Sequence, residues 1–348
     1  MRFLKFSKTE TLADYFAALD QRIEKILPDR ASVLAQIAGY TVRLVFPNVD
    51  YARYVIPDMF VHPDNGVSVD ATFIWWEDDI TLYQLHDFAH LKHFAQFDED
   101  FSKAADDCGY IEIKWDDLRA EDWLNNKYYL LSNPGELTKW PIANHPFAQA
   151  VFLWAQRHDL LMLHAGAVGK DGHGVLIVGH GGTGKSTLAC SCLADGFEFV
   201  SDDYCLLSTA GSRTVYPIYT NVSLNPDSLA SLPMFKPFEI LPMQEEKSSF
   251  TVSETVIKPA LSVEAIVLPQ ITDNSEPEIT MDKSGKALVQ VIFSTNKQLG
   301  CLLDTEFVRK LAHRLLGMPV YRFSLTKDLQ KNSQYLKKWI REDLPCTN

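Results

Sequence analysis

At 348 residues with 46% hydrophobic side chains, the chain is long enough for two domains with sizeable cores and too apolar for wholesale disorder. A formal charge of −12 argues against nucleic acid or anionic membrane as the main partner, since neither favours an acidic surface. The six cysteines show no paired C-x-x-C spacing, Met1–Lys8 lacks the continuous apolar stretch of a secretory signal, and no apolar run reaches membrane-spanning length. The expectation is a reduced, soluble, cytoplasmic protein.

The first elements predict a mixed α+β module. Leu12, Tyr15, Phe16, Leu19, Ile23, Ile26 and Leu27 recur at helical spacing through residues 10–27. Tyr40 to Phe46 and Val67 to Trp76 read as strands, with Asn48 to Val55 a short helix that ends before Pro57. Tyr110 to Trp115 and Lys127 to Leu131 are further strands. Pro141 to Pro146 punctuates the chain, and Phe147 to Arg157 reads as a helix leading into a second module. This places the domains at residues 1–145 and 146–348.

The second module opens with Leu160 to Val168, a turn at Gly169-Lys170-Asp171-Gly172, and the apolar run Val175-Leu176-Ile177-Val178. So short a turn implies an antiparallel hairpin. Phe197 to Ser201, Tyr204 to Leu207, a strand pair at Thr214 to Tyr219 and Asn221 to Leu224, Leu261 to Leu268, Ala287 to Phe293 and Val320 to Leu325 complete the strands. Residues 225–258, rich in Pro, Ser and Glu, read as loops with a short helix. Glu306 to Leu316 and Ser333 to Ile340 read as helices.

Chemistry concentrates after the hairpin. Gly179-His180-Gly181-Gly182-Thr183-Gly184-Lys185-Ser186 fits the phosphate-loop pattern G-x-x-x-x-G-K-[ST], between a strand and a helix that runs from Thr187 to a C-capping Gly196. Glycines let successive N–H groups turn towards one anion, and the helix dipole adds partial positive charge. Lys185 is the cation for the β- and γ-phosphates of ATP, and the Ser186 hydroxyl the ligand for Mg²⁺. An ordinary glycine-rich turn is the plainer alternative, and the strand–loop–helix context argues against it. Asp202-Asp203 ends the Phe/Val-rich strand that follows, where one carboxylate can hold Mg²⁺ and the other accept a proton. A solvated strand-end cap is the alternative. A nucleic-acid or membrane partner is not expected.

Leu163-His164-Ala165-Gly166-Ala167-Val168, the glycine loop and Val200-Ser201-Asp202-Asp203 together resemble the catalytic core of HPr kinase/phosphorylase and its related kinases, itself similar to phosphoenolpyruvate carboxykinase. The resemblance runs from about residue 160 to 330. It implies an α/β fold with a mixed sheet around the phosphate loop, preceded by a smaller α+β module similar to that of serine kinases from lasso-peptide clusters. It implies Asp202 as the catalytic carboxylate, Asp203 as its metal-supporting neighbour, and His164 near the transferring phosphate and the first aspartate. A satisfied histidine in a buried hairpin is the alternative for His164. The family's signature segment carries an arginine and a glutamate, whereas Tyr219 to Asn225 has neither, which puts phosphorylase activity in doubt. The expected reaction is kinase transfer to a hydroxyl, on a peptide or protein serine or on a small molecule. The front module is the natural place for acceptor recognition, and a homo-oligomer is compatible with this picture. A nucleotide-binding regulator without transfer chemistry is the reading from another class.

Two clusters read more plainly. His86-Asp87-Phe88-Ala89-His90, with His93 beyond, falls short of H-E-x-x-H and of a third ligand, so a polar face explains it better than zinc. Glu245-Glu246-Lys247 reads as a solvated charge run, although Lys247 could position a phosphate. Trp75-Trp76 reads as core or domain interface rather than a stacking platform.

Overall fold

The computed structural model describes residues 11–83, 88–91, 93–97, 101–114, 117–136, 144–244, 247–299 and 305–344. The chain divides into two compact units, residues 1–56 with 61–154, and residues 57–60 with 155–348. The fold is mixed α/β, with parallel and antiparallel pairs in each large sheet.

In the first unit, helix α1 (Leu12–Ile26) starts where the Thr11 side chain accepts the Asp14 N–H. The strands are β1 (Ala31–Ile37), β2 (Tyr40–Phe46), β3 (Val61–Pro63), β4 (Ala71–Glu77), β5 (Ala95–Gln96), β6 (Phe101–Asp106), β7 (Gly109–Lys114), β8 (Asp117–Asp122) and β9 (Lys127–Ser132). They form one sheet in the order β3-β1-β2-β4-β9-β8-β7-β6-β5, parallel at β2/β4 and β4/β9. Leu12, Tyr15, Phe16, Leu19 and Ile23 of α1 are buried with Trp76, Tyr129 and Leu131 of the sheet. Each such side chain contributes roughly 1.5–3 kcal/mol by leaving water. Helix α2 (Ala52–Val55) follows a 3₁₀ turn at Val49–Tyr51, and a second 3₁₀ turn carries the chain past Pro57. Helix α3 (Ala148–Gln156) sets Trp154 edge-on against Phe73 and Tyr40.

The second unit runs β10 (Leu160–His164), β11 (Gly166–Lys170), β12 (His173–Ile177), α4 (Lys185–Ala194), β13 (Glu198–Ser201), β14 (Tyr204–Ser208), β15 (Thr214–Pro217), β16 (Asn221–Leu224) and α5 (Pro226–Ser231). It continues with β17 (Glu239–Gln244), β18 (Lys247–Thr251), β19 (Leu261–Ile271), β20 (Glu278–Met281), α6 (Lys286–Leu299), α7 (Thr305–Leu315), β21 (Val320–Leu325) and α8 (Leu329–Glu342). The large sheet has the order β10-β14-β15-β19-β12-β11-β13, with β21 beside β19 and β20 beside β21. A separate three-stranded sheet has the order β16-β18-β17.

The expected hairpin is present: β11 and β12 pair antiparallel about Asp171 and Gly172, both at positive φ, the geometry of a tight hairpin turn. Four sequence expectations are corrected. Leu160 to Val168 is two strands, because the chain leaves β14 at Ala165 and joins β12 and β13. β15 and β16 are not partners; β15 pairs with β14 and β19, and β16 with β18. Residues 225–258 hold α5, β17 and β18 rather than loops alone.

The fourth concerns Ala287 to Phe293, which lies in helix α6, not in a strand. Its apolar run satisfies both periods, and burial decides between them. Val291, Ser294 and Thr295 are buried at i, i+3 and i+4, while Val289 and Phe293 face solvent. The Thr295 hydroxyl accepts the His164 N–H at 3.1 Å, fixing α6 to the strand that bears the candidate catalytic histidine. No helix among the described residues is long and apolar enough to cross a membrane.

Candidate phosphate-binding site

The loop is set by the sheet beneath it. Val178 donates its N–H to the Val267 carbonyl, so the chain leaves β12 held against β19 before the first loop glycine. Thr183 closes the turn by donating its hydroxyl to the His180 carbonyl at 2.9 Å. Gly184 caps α4 at φ +95°, a left-handed conformation that costs an L-residue roughly 1–2 kcal/mol. A Cβ there would also stand 3.1 Å from Leu325. Helix α4 therefore begins at Lys185 with its free N–H groups aimed at the loop.

Lys185 is buried, and its ammonium donates to the His180 carbonyl at 3.3 Å. Burial lowers its pKa; the charge of Lys247 adds to this, while Asp203 and Asp202 oppose it. Gly181, Gly182, Gly184, Lys185, Ser186 and Thr187 line one wall of a cleft of about 320 Å³. Ser223, Asn225, Ser228 and Lys247 line it as well, as do Ile271, Leu325 and Leu329 on its apolar side. That volume lies within the range of small-molecule sites. His180 is exposed, Gly179 begins the loop, and the Thr187 hydroxyl is 2.6 Å from the Ser228 hydroxyl of α5.

The two carboxylates differ in surroundings. Asp202 is fully enclosed and accepts the Ser223 N–H of β16 at 3.3 Å. Burial and the charge of Asp203 push its pKa up to about 7, while Lys247, the Ser223 N–H and the Ser186 hydroxyl pull the other way. Asp203, one residue on, lies 2.7 Å from His164 Nε2. The histidine thus pairs with the second aspartate, the neighbour of the first. The His164 ring also leans on Tyr204, and Tyr204 on Tyr219.

The chain thus brings His164, Lys185, Ser186, Asp202 and Asp203 into one neighbourhood. Two carboxylates and a hydroxyl are hard oxygen donors, and Mg²⁺ commonly takes one or two carboxylates with the substrate's phosphates completing its shell. The residues therefore fit a nucleotide with Mg²⁺. Among the described residues no group of three His, Cys, Asp or Glu side chains could hold a metal alone. His86 and Asp87 of the sequence cluster lie outside the described residues, as do Glu245 and Glu246.

Three residues near the site carry little or no signal in the sequence. Lys247, which the sequence places in a charge run, lines the cleft. Ser223 contributes a backbone N–H that no side-chain pattern signals. Asp58 arrives from the short 57–60 segment, where the Thr220 N–H bonds its carbonyl at 2.8 Å and Met59 bridges to Tyr219.

No protein-family model matches the chain, and no curated protein matches it. Among solved structures, the HPr(Ser) kinase/phosphatase from Coxiella burnetii is similar over 52% of this chain and 93% of its own, at 13% identity and a TM-score of 0.28.

Proposed function

We propose that this chain is an ATP- and Mg²⁺-dependent kinase that transfers the γ-phosphoryl group to a hydroxyl, on a serine of a peptide or protein. The observation that carries the reading is the phosphate loop with its lysine and serine on one cleft, beside Asp202 and Asp203, whose charges act on Lys185. The loop N–H groups and Lys185 hold the phosphates, and Ser186 with Asp203 holds the metal. When bound, Mg²⁺ would neutralise charge developing on the transferring group. Asp202, whose pKa stands near 7 without it, takes the acceptor hydroxyl's proton. His164 orients Asp203 through its N–H.

Residues 219–225 offer neither arginine nor glutamate, so forward transfer is expected with little phosphorolysis. The first module adds a large sheet that phosphate chemistry does not need, and acceptor recognition is assigned to it.

Transfer of labelled γ-phosphate to serine peptides, with Asp202→Asn in parallel, tests the proposal. The variant should keep ATP affinity and lose roughly 10²–10⁴ in rate. Nucleotide binding with no transfer to any peptide, protein or small hydroxyl acceptor would favour the regulator reading instead.

A further inference from the structure

Strand β16 lies against Asp202 through the Ser223 N–H, yet its segment carries no cation for a phosphate. Its neighbour supplies one. β16 and β18 pair antiparallel with Leu224 opposite Ser248, so Lys247, the first residue of β18, comes level with the end of β16. There it lines the same cleft as the loop glycines, Lys185 and Ser186. Its charge is felt at both functional groups, drawing the pKa of Asp202 down and disfavouring the protonated form of Lys185.

The cations of this cleft are not equivalent. Lys327 stands at the rim, 84% exposed, and pairs with Asp273 at 3.2 Å. Lys247 is half-buried and makes no salt bridge with any described residue. Two ammonium groups facing one partly enclosed space repel each other, and the cost is offset when an anion enters between them. Resting on the nucleotide-binding reading above, we propose that Lys247 is a phosphate-binding residue of this cleft. It supplies from β18 the positive charge that β16 lacks.

The probe is ATP·Mg²⁺ titrated calorimetrically into the full chain and into Lys247→Met, Lys247→Gln and Lys247→Arg, at several salt concentrations. Methionine and glutamine keep an unbranched stem, and each should weaken binding about 10- to 100-fold, the usual worth of a hydrogen bond to a charged group. Arginine should retain most of the affinity. The salt dependence should be shallower in the uncharged variants, which a purely structural lysine would not produce. The thermal midpoint, read alongside, shows that the variants are folded, and glutamine stands in if methionine does not fold. Wild-type affinity and salt slope in a folded uncharged variant would overturn the assignment while leaving the nucleotide site in place. Absence of ATP·Mg²⁺ binding to the unaltered chain would remove both.

Discussion

His164 Nε2 stands 2.7 Å from Asp203 Oδ1, with the histidine almost enclosed and the carboxylate partly exposed. An imidazole N–H donated to a carboxylate fixes the rotamer of that carboxylate, and a short charge-assisted contact does so firmly. Asp203 is thereby held by a side chain, whereas Asp202 is held by the β16 backbone.

From this pairing, His164→Ala should slow phosphoryl transfer by about 10²-fold, since a misplacement on the order of 1 Å in a reacting constellation can cost that much. Asp203→Asn should do the same, and the double variant should be no worse than either alone. The check is a double-mutant cycle on kcat, with a coupling of roughly 0.5–3 kcal/mol. Additive losses would mean that the contact has no role in the chemistry.

Asp58 gives a pH-dependent prediction. Its side chain is buried, and burial drives its pKa well above the ordinary carboxylate value, with a hydrogen bond from the Asn221 side chain opposing. A folded pKa above the unfolded one means that the native state holds the proton more tightly. The group's favourable contribution is complete below the unfolded value of about 4 and is lost as pH rises from there towards the folded pKa. Asp58→Asn, which cannot ionise, should therefore gain on the native protein in urea unfolding as pH is raised from 5 to 8. An Asn variant that is equally or less stable at every pH would show that Asp58 is ionised and compensated.

Gly184 offers a backbone test. Gly184→Ala must adopt φ near +95° and crowd Leu325, so unfolding should cost about 1–2 kcal/mol less than in the native chain. The helix start would shift with it, and ATP·Mg²⁺ affinity should fall at least tenfold by titration calorimetry. Unchanged stability and affinity would mean that the loop tolerates another conformation.

The parts of the molecule that were legible in sequence are those dictated locally. The phosphate loop is written in glycines, a lysine and a serine at fixed spacing, and the hairpin before it in Asp171-Gly172 between apolar runs. Asp202 and Asp203 were visible because two charges end a Phe/Val strand. What escaped depends on distant partners. β17 and β18 lie in a Pro-, Ser- and Glu-rich stretch and take their form from pairing with each other and of β18 with β16, so locally Lys247 reads first as part of a surface charge run. Residues 287–293 fit two periods at once, and only packing shows that Val291 and Thr295 share a buried helical face. Asp58 stands far upstream of the loop, and its burial beside Tyr219 and Thr220 has no local signature.

The proposed kinase chemistry depends on the loop holding a nucleoside triphosphate through Lys185. Calorimetric titration of ATP·Mg²⁺ into the full chain and into Lys185→Ala tests it most directly. Saturable binding to the native protein is expected, with loss of most of that affinity in the variant and the fold retained as read by thermal unfolding. Equal ATP·Mg²⁺ affinity in the two proteins would contradict it.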